Sequence, residues 1–294
     1  MDNLTVVKTP AGWAERVADF VASANDTPEN QIGYYGDDTS QIRHSLLTES
    51  PEIIGRSTVA VMGAEVVGFL GAEADSGVGR VWLFGPTVTH PEWDRVSDAL
   101  IAELSPLLPS DAPEQELFFN VANARCARFG ERHGFARYKD CEILRFQRKQ
   151  VSDLPAGDAR EVRDDESASL AALHDRLFPS APWTGRQVME RRGRHEKVFV
   201  AEDAGPVVGY IHARVDPAFP EGNIEFVGVV ETSRRRGVGT RLVASALKWM
   251  FSFDHIEVTW LTVMEDDPGA RRLYVGLGWD PIHAMRSMRR SILS

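Results

Sequence analysis

Residues 234–240 read Arg-Arg-Arg-Gly-Val-Gly-Thr and join a strand-like run at 223–230 to a helical run at 238–250. The helical run has apolar residues at roughly the spacing of an amphipathic helix. The first turn of a helix leaves backbone N–H groups unpaired at its positive dipole end, so it binds anions. Gly237 and Gly239 leave the main chain open to a phosphate that a β-carbon would block. The stretch therefore predicts a phosphate-binding turn between strand and helix.

The same stretch admits a second interpretation, a solvated basic loop ahead of a surface helix. It has neither the Gly-Lys-Ser/Thr ending of a Walker loop nor the G-x-G-x-x-G spacing of a dinucleotide-binding fingerprint. Its consecutive arginines supply positive charge and fork-shaped donors for phosphate oxygens. We favour the phosphate-binding interpretation because the required strand and helix flank the stretch. The candidate ligands are Arg234, Arg235, Arg236, Gly237, Val238, Gly239 and Thr240.

The sequence around this turn predicts an α/β arrangement in which helices pack against a mixed sheet. The two runs before the turn's own strand form a hairpin. The expected strands of the second half are 160–163, 197–202, 207–215, 223–230, 256–263, 281–284 and 288–293. The expected helices are 166–176, 238–250 and 269–277.

The first half of the chain repeats this pattern, which indicates a tandem duplication. Val66–Asp75 aligns with Val207–Asp216, and His133–Phe135 aligns with Leu277–Trp279 at nearly the same separation. The corresponding strands are expected at 57–62, 65–74, 80–88 and 116–121, and the helices at 93–107 and 124–133. The predicted domains are therefore residues 1–150 and 151–294.

Two motifs in the second half resemble those of the GNAT superfamily of N-acetyltransferases. Arg234, Gly237 and Gly239 fill the fixed positions of its motif A, Q/R-x-x-G-x-G/A. Residues 267–279 resemble its later motif, N-x-x-A-x-x-L-Y-x-x-x-G-F, with Asp in place of Asn and Trp in place of Phe. The resemblance covers the second half and, more faintly, the first. It implies an α/β (α+β) fold of two tandem GNAT-like domains, each a mixed, mostly antiparallel sheet flanked by helices.

The resemblance also implies acetyl-CoA as the co-substrate and no metal. In the family, pantetheine pairs with the fourth strand of the domain, which places it near Val229 in this sequence. The pyrophosphate would lie on the turn that begins at Arg234. Asp267 and Arg271, in the later motif, are further candidate coenzyme contacts.

Two residues are candidates for proton transfer. Tyr274 stands at the family's tyrosine position and can protonate a departing thiolate, although a tyrosine that merely packs on the sheet fits the same position. Glu225 lies four residues before Val229, so the strand period predicts that both side chains share a face. A carboxylate there could act as the base or be an ion-paired strand residue. Some family members carry a glutamate at the position of Thr262; this sequence does not. His212 is a weaker candidate.

The matching stretch of the first half, residues 88–100, keeps the strand and the helix but has no counterpart of Gly237 or Gly239. Asp94 and Asp98 would repel a phosphate there. Gly130 occupies the tyrosine position, so the proton donor is missing. Cys126 is expected to be a small buried helix residue rather than a nucleophile. We therefore interpret domain 1–150 as degenerate and non-catalytic.

The composition limits the class of protein. Hydrophobic residues make up 43% and charged residues 26% of 294 residues, which is typical of globular domains. A net charge of −10 argues against non-specific nucleic-acid binding and weakly favours cationic partners such as amines. The sequence shows no membrane span, secretory signal or zinc-ligand spacing. A cytoplasmic protein is expected.

These observations favour an N-acetyltransferase that transfers an acetyl group from acetyl-CoA to a primary amine of a small molecule or peptide. The alternative is a non-catalytic acyl-CoA-binding sensor or a scaffold. Tyr274 together with the intact glycines favours the enzyme, because a scaffold would need neither. A homodimer is possible, and the sequence does not specify the acceptor.

Overall fold

The computed structural model describes residues 4–36, 38–179, 181, 183–203 and 205–292. The chain forms two compact units. The first extends to Cys141 and includes the C-terminal segment from His283, and the second is Glu142–Ile282. No helix in these described ranges is long and apolar enough to span a bilayer.

Strands and helices alternate along the chain. The strands are β1 (Leu4–Lys8), β2 (Ser57–Met62), β3 (Glu65–Asp75), β4 (Arg80–Val88), β5 (Glu114–Asn120), β6 (Ala136–Gln147), β7 (Arg160–Glu161), β8 (Glu196–Glu202), β9 (Val207–Val215), β10 (Glu221–Val229), β11 (Val258–Met264) and β12 (Asp280–Ser291). The helices are α1 (Ala14–Ala24), α2 (Thr39–His44), α3 (Glu52–Gly55), α4 (Trp93–Leu104), α5 (Ala124–Arg132), α6 (Ser167–Leu177), α7 (Gly185–Glu190), α8 (Val238–Met250) and α9 (Pro268–Gly276).

The first unit is built on a mixed sheet in the order β1-β2-β3-β4-β5-β12. Only β4 and β5 pair in parallel; the other neighbours are antiparallel. Its core combines apolar residues of the strands with those of the helices, such as Phe69 of β3, Val21 of α1, Leu100 of α4 and Phe129 of α5. Burial of these side chains is the main source of this unit's stability.

The second unit has strands in the order β11-β10-β9-β8-β7, with the C-terminal half of β6 beside β11. The pair β10–β11 is parallel and the pairs from β10 to β7 are antiparallel. Successive strand residues face opposite sides of the sheet. Ile211 and Ala213 of β9 pack with α8 and α9, and this cluster is the α8 core. Tyr210 packs with α6 and α7 in a separate cluster, the α6–α7 core.

The predicted fold class, a mixed and mostly antiparallel sheet flanked by helices, is confirmed in both units. Helix α8 has the predicted bounds. In the hairpin, β8 begins one residue before its predicted start, and β9 has its predicted bounds. The prediction of two closing strands is wrong, because β12 is continuous and its residues Met285–Ser291 pair with β5 of the first unit. Residue 293 of the second predicted closing strand lies outside the described residues. The division at residue 150 stays a prediction.

Candidate active site

The residues predicted from the sequence to bind a phosphate lie in the turn between β10 and α8, and that role stays a prediction. Gly237 is the N-cap of α8 and has φ +78°, a left-handed conformation that favours glycine. Arg235 has φ +58° and is the only non-glycine residue with positive φ in the described ranges. Left-handed residues in such a turn aim successive N–H groups towards one point, which forms an anion-binding nest. The backbone itself is therefore shaped for an anion.

Space and free donors exist at this helix end. A β-carbon built on Gly237 would meet no heavy atom within 4 Å, so its open side faces free space. No side chain of the described chain caps α8. The first intrahelical bond reaches back from the N–H of Arg241 to the carbonyl of Gly237. The amides of Val238, Gly239 and Thr240 precede it and are the first-turn donors that an anion can use.

The three arginines of the turn differ in their availability. Arg234 donates from Nε to the carbonyl of Val229 at 3.1 Å. Arg236 is ion-paired with Asp203, with 2.5 Å between Nη1 and Oδ2. Arg235 makes no hydrogen bond or ion pair with the described part of the chain. Arg235 is thus the arginine that a phosphate can engage without displacing another partner.

Gly239 also lies close to a neighbouring helix. A β-carbon at this position would lie 2.8 Å from Cδ2 of Leu273 in α9. The missing side chain therefore lets Leu273 approach α8 closely, and the role of Gly239 towards a phosphate stays a prediction. The amide of Gly239 remains a candidate donor, as part of the first turn.

Strands β10 and β11 separate before they end. Their parallel pairing covers 221–224 against 258–261, and β10 continues to Val229 against β9 alone. The N–H of Val230 donates to the carbonyl of Val208 at 2.9 Å. Antiparallel pairing alternates, so the N–H and C=O of Val229 point away from β9, towards the gap. This edge can pair with an extended, amide-bearing chain.

Glu225 lies at a β-bulge, where the register of β10 against β9 shifts between Ile224 and Phe226. Ile224 and Val229 pack in the α8 core, whereas Phe226 packs in the α6–α7 core. The expectation that Glu225 and Val229 share a face is wrong, because the extra residue of the bulge interrupts the strand period. Glu225 lies on the α6–α7 face.

Arg214 of β9 holds Glu225 in place, with 2.6 Å between Nε and Oε1. Burial disfavours the charged guanidinium, but Glu225, Glu221 and Asp216 outweigh that effect and raise the pKa of Arg214 above its ordinary value. The sequence analysis did not single out Arg214. The signal was present, because an arginine inside an otherwise apolar strand is unusual.

Tyr274 lies in α9 on the α8-core face, and its side chain is buried. Its ring is T-shaped to Trp279 with 6.1 Å between centroids. Burial, with a contribution from Asp267, raises the pKa of the phenol well above its ordinary value, so the group is protonated at neutral pH. Tyr274 and Glu225 therefore lie on opposite faces of the sheet.

The remaining predicted coenzyme contacts have structural partners. The carboxylate of Asp267 caps α9 by accepting the N–H of Ala270 at 2.8 Å. Arg271 is ion-paired with Glu142, with 2.6 Å between Nε and Oε2. Their role towards a coenzyme stays a prediction.

His212 is fully buried on the α6–α7 face, where it contacts Glu196 with 2.8 Å between Nε2 and Oε1. Its ring stacks on Phe226 and is covered by Trp183. Nearby, His174 contacts the Tyr210 hydroxyl at 2.5 Å through Nδ1. This polar cluster lies under α6 and α7 and anchors them to the sheet.

The first unit has a helix start of different chemistry at the equivalent place. Helix α4 begins at Trp93, whose side chain is only 6% exposed and contacts Phe129 edge to face. Asp94 and Asp98 are both ion-paired with Arg132. Acidic side chains and a bulky ring at the helix start disfavour a phosphate.

Two other kinds of site could carry chemistry, a cysteine nucleophile and a metal site. Burial raises the pKa of the Cys126 thiol well above its ordinary value, so this cysteine is not an activated nucleophile. Among the described residues, no three His, Cys, Asp or Glu side chains are grouped as metal ligands.

Comparison with known proteins agrees with this geometry. Residues 160–279 match the model of the acetyltransferase (GNAT) family. A protein named N-alpha-acetyltransferase from Sulfurisphaera tokodaii is 33% identical over 98 residues, which cover 30% of this chain and 59% of that relative. The chain thus spans less than two thirds of that relative's length.

Two solved structures share the fold over nearly the whole chain. A GCN5-related N-acetyltransferase from Sphaerobacter thermophilus has a TM-score of 0.75 at 18% identity, covering 99% of this chain and 96% of its own. A tandem GNAT protein from the clavulanic acid biosynthesis pathway has a TM-score of 0.64 at 15% identity and covers 98% of both chains. Over residues 160–279 the chain matches the acetyltransferase (GNAT) family, and this confirms the predicted resemblance for that segment.

Proposed function

We propose that the second unit transfers an acetyl group from acetyl-CoA to a primary amine of a small molecule or peptide. The observation that carries this proposal is the left-handed, open turn at Gly237 beside the gap between β10 and β11. The family match and the relative named N-alpha-acetyltransferase support an amine as acceptor.

The residues of the site fit a phosphorylated, amide-bearing coenzyme. The amides that follow Gly237, together with Arg235, would hold the pyrophosphate. The edge of β10 at Val229 would pair with the pantetheine amides. Arg234 and Arg236 can add to phosphate binding if they exchange their present partners for phosphate oxygens.

Acetyl-CoA, when bound, supplies an activated acyl group whose leaving group is a thiolate. Glu225 can accept the proton of the incoming ammonium through Oε2, since Arg214 occupies only Oε1 in the described chain. Tyr274 can hold a proton for the departing thiolate. Burial raises the pKa of the phenol, so Tyr274 carries its proton at neutral pH.

The test is a panel of primary amines incubated with acetyl-CoA, with thiol release and product mass as readouts. We expect acetylated product from at least one amine class. Tyr274→Phe should bind acetyl-CoA normally and lose about 10²-fold or more in kcat, the usual contribution of a general acid. Tyr138→Phe, an exposed tyrosine of the first unit, is the matched control and should keep the wild-type rate.

Two outcomes would contradict this proposal. An unchanged rate in Tyr274→Phe would remove Tyr274 from the mechanism. Normal acetyl-CoA binding without product from any amine would favour a non-catalytic acyl-CoA sensor, the alternative that the same turn allows.

A further inference from the structure

Arg214 belongs to a row of side chains that crosses the sheet of the second unit. It is in register with Asn223 of β10, which is in register with Trp260 of β11. Residues in register across a sheet share a face, so all three lie on the α6–α7 face. Glu225, the bulge residue two positions after Asn223, lies on the same face and contacts Arg214. The row therefore borders the carboxylate that we propose as the base.

The guanidinium of Arg214 uses only part of its donor capacity. Its Nε donates to Glu225, whereas Nη1 and Nη2 make no hydrogen bond or ion pair with the described chain. The side chain is 38% exposed, and neither nitrogen is among the buried, unpartnered polar atoms of the described chain. Two parallel N–H groups on a planar guanidinium match the two oxygens of a carboxylate.

Opposite charges lie side by side at this place. The carboxylate of Glu225 lies next to the guanidinium of Arg214, with 2.6 Å between Oε1 and Nε. Glu221 adds a second carboxylate, which accepts the indole N–H of Trp260 at 3.1 Å. An ammonium group would lie against the carboxylates and an anionic group against the open side of Arg214. A molecule carrying both groups on neighbouring atoms complements the pair.

We propose that Arg214 determines acceptor specificity by binding a carboxylate adjacent to the reacting amine, which makes the acceptor an amino acid with a free α-carboxylate. This inference rests on the proposed acetyltransferase function. The α-ammonium lies against Glu225 and gives up its proton there, while the α-carboxylate pairs with Nη1 and Nη2 of Arg214. A peptide N-terminus has an amide at the position of that carboxylate and loses this contact.

The test compares amino acids with their α-amides, which keep the amine and the side chain but have no carboxylate. Charge-assisted hydrogen bonds contribute about 1.5–3 kcal/mol, which corresponds to roughly 10- to 100-fold in kcat/KM. We expect the wild-type protein to prefer the acid by that factor. In Arg214→Met this preference should disappear, because KM rises for the acid alone, whereas the lost contact with Glu225 changes kcat for acid and amide by the same factor.

Two further variants separate specificity from folding. Arg214→Lys keeps the charge next to Glu225 but not the fork, so the preference for the acid should fall while the amide is still acetylated. Arg80→Met is the matched control, because Arg80 is a strand arginine paired with Glu114 on the neighbouring strand of the first unit. It should keep the wild-type preference.

The outcomes distinguish this inference from the proposed function. If the amides are acetylated as well as the acids, or if Arg214→Met keeps the wild-type preference for the acid, the carboxylate role of Arg214 is wrong and the acetyltransferase proposal stands. If no amine of either kind is acetylated, the proposed function itself fails.

Discussion

Replacement of Gly237 by alanine separates the backbone requirement of the turn from its role in binding. An L-residue at φ +78° costs about 1–2 kcal/mol relative to glycine. The new β-carbon meets no atom of the chain within 4 Å, so no packing cost is added. For a unit of this size the melting temperature should fall by roughly 2–4 °C per kcal/mol.

The effect on coenzyme binding should be larger than the effect on stability. The β-carbon would project into the space where we place the phosphate. Loss of one or two charge-assisted amide contacts, about 1.5–3 kcal/mol each, raises Kd by roughly 10- to 100-fold or more. Gly237→Glu should abolish binding, because it adds a negative charge to the steric block. Isothermal titration with acetyl-CoA measures both variants.

Gly63→Ala provides the matched control for this experiment. Gly63 has φ +63° in the β2–β3 turn of the first unit, and its β-carbon would also meet no atom within 4 Å. It should lose similar stability and bind acetyl-CoA like the wild type. If Gly237→Ala binds the coenzyme normally, or if Gly63→Ala weakens binding equally, the phosphate assignment of this turn is refuted.

Two further predictions concern stability. Gly239→Ala should destabilise the second unit by about 1 kcal/mol, because its β-carbon meets Leu273 at 2.8 Å, and the double variant with Leu273→Ala should lose less than the sum of the two single losses in chemical denaturation. Burial lowers the pKa of His174 below its ordinary value of 6.5, so stability should fall as the pH drops below about 6.5 and protonation becomes costly. In His174→Gln this part of the pH dependence should be absent, and an unchanged slope between pH 7 and 5 would contradict the assignment.

Periodicity and turn chemistry made much of the second unit predictable. The apolar stripe of 238–250 and the glycine before it gave both the helix and its start. The hairpin β8–β9 followed from two strand-like runs separated by a short turn. These features depend on interactions within a few residues, which the local sequence records.

Features that depend on distant partners were not predictable. The bulge at Glu225 carries no glycine or proline, so nothing local marked the change of face. The sequence predicts Gly239 as a phosphate contact. Its close approach to Leu273 depends on the packing of another helix, so it is visible only in the structure. The continuity of β12 depends on pairing with β5, far away in the sequence.

Calorimetric titration of the full chain with acetyl-CoA tests the central claim most directly, namely that the second unit alone carries the coenzyme site. We predict one site per chain, lost in Gly237→Glu and retained when the first-unit helix start is changed by Asp94→Ala. Two equal sites, or binding that survives Gly237→Glu, would contradict it.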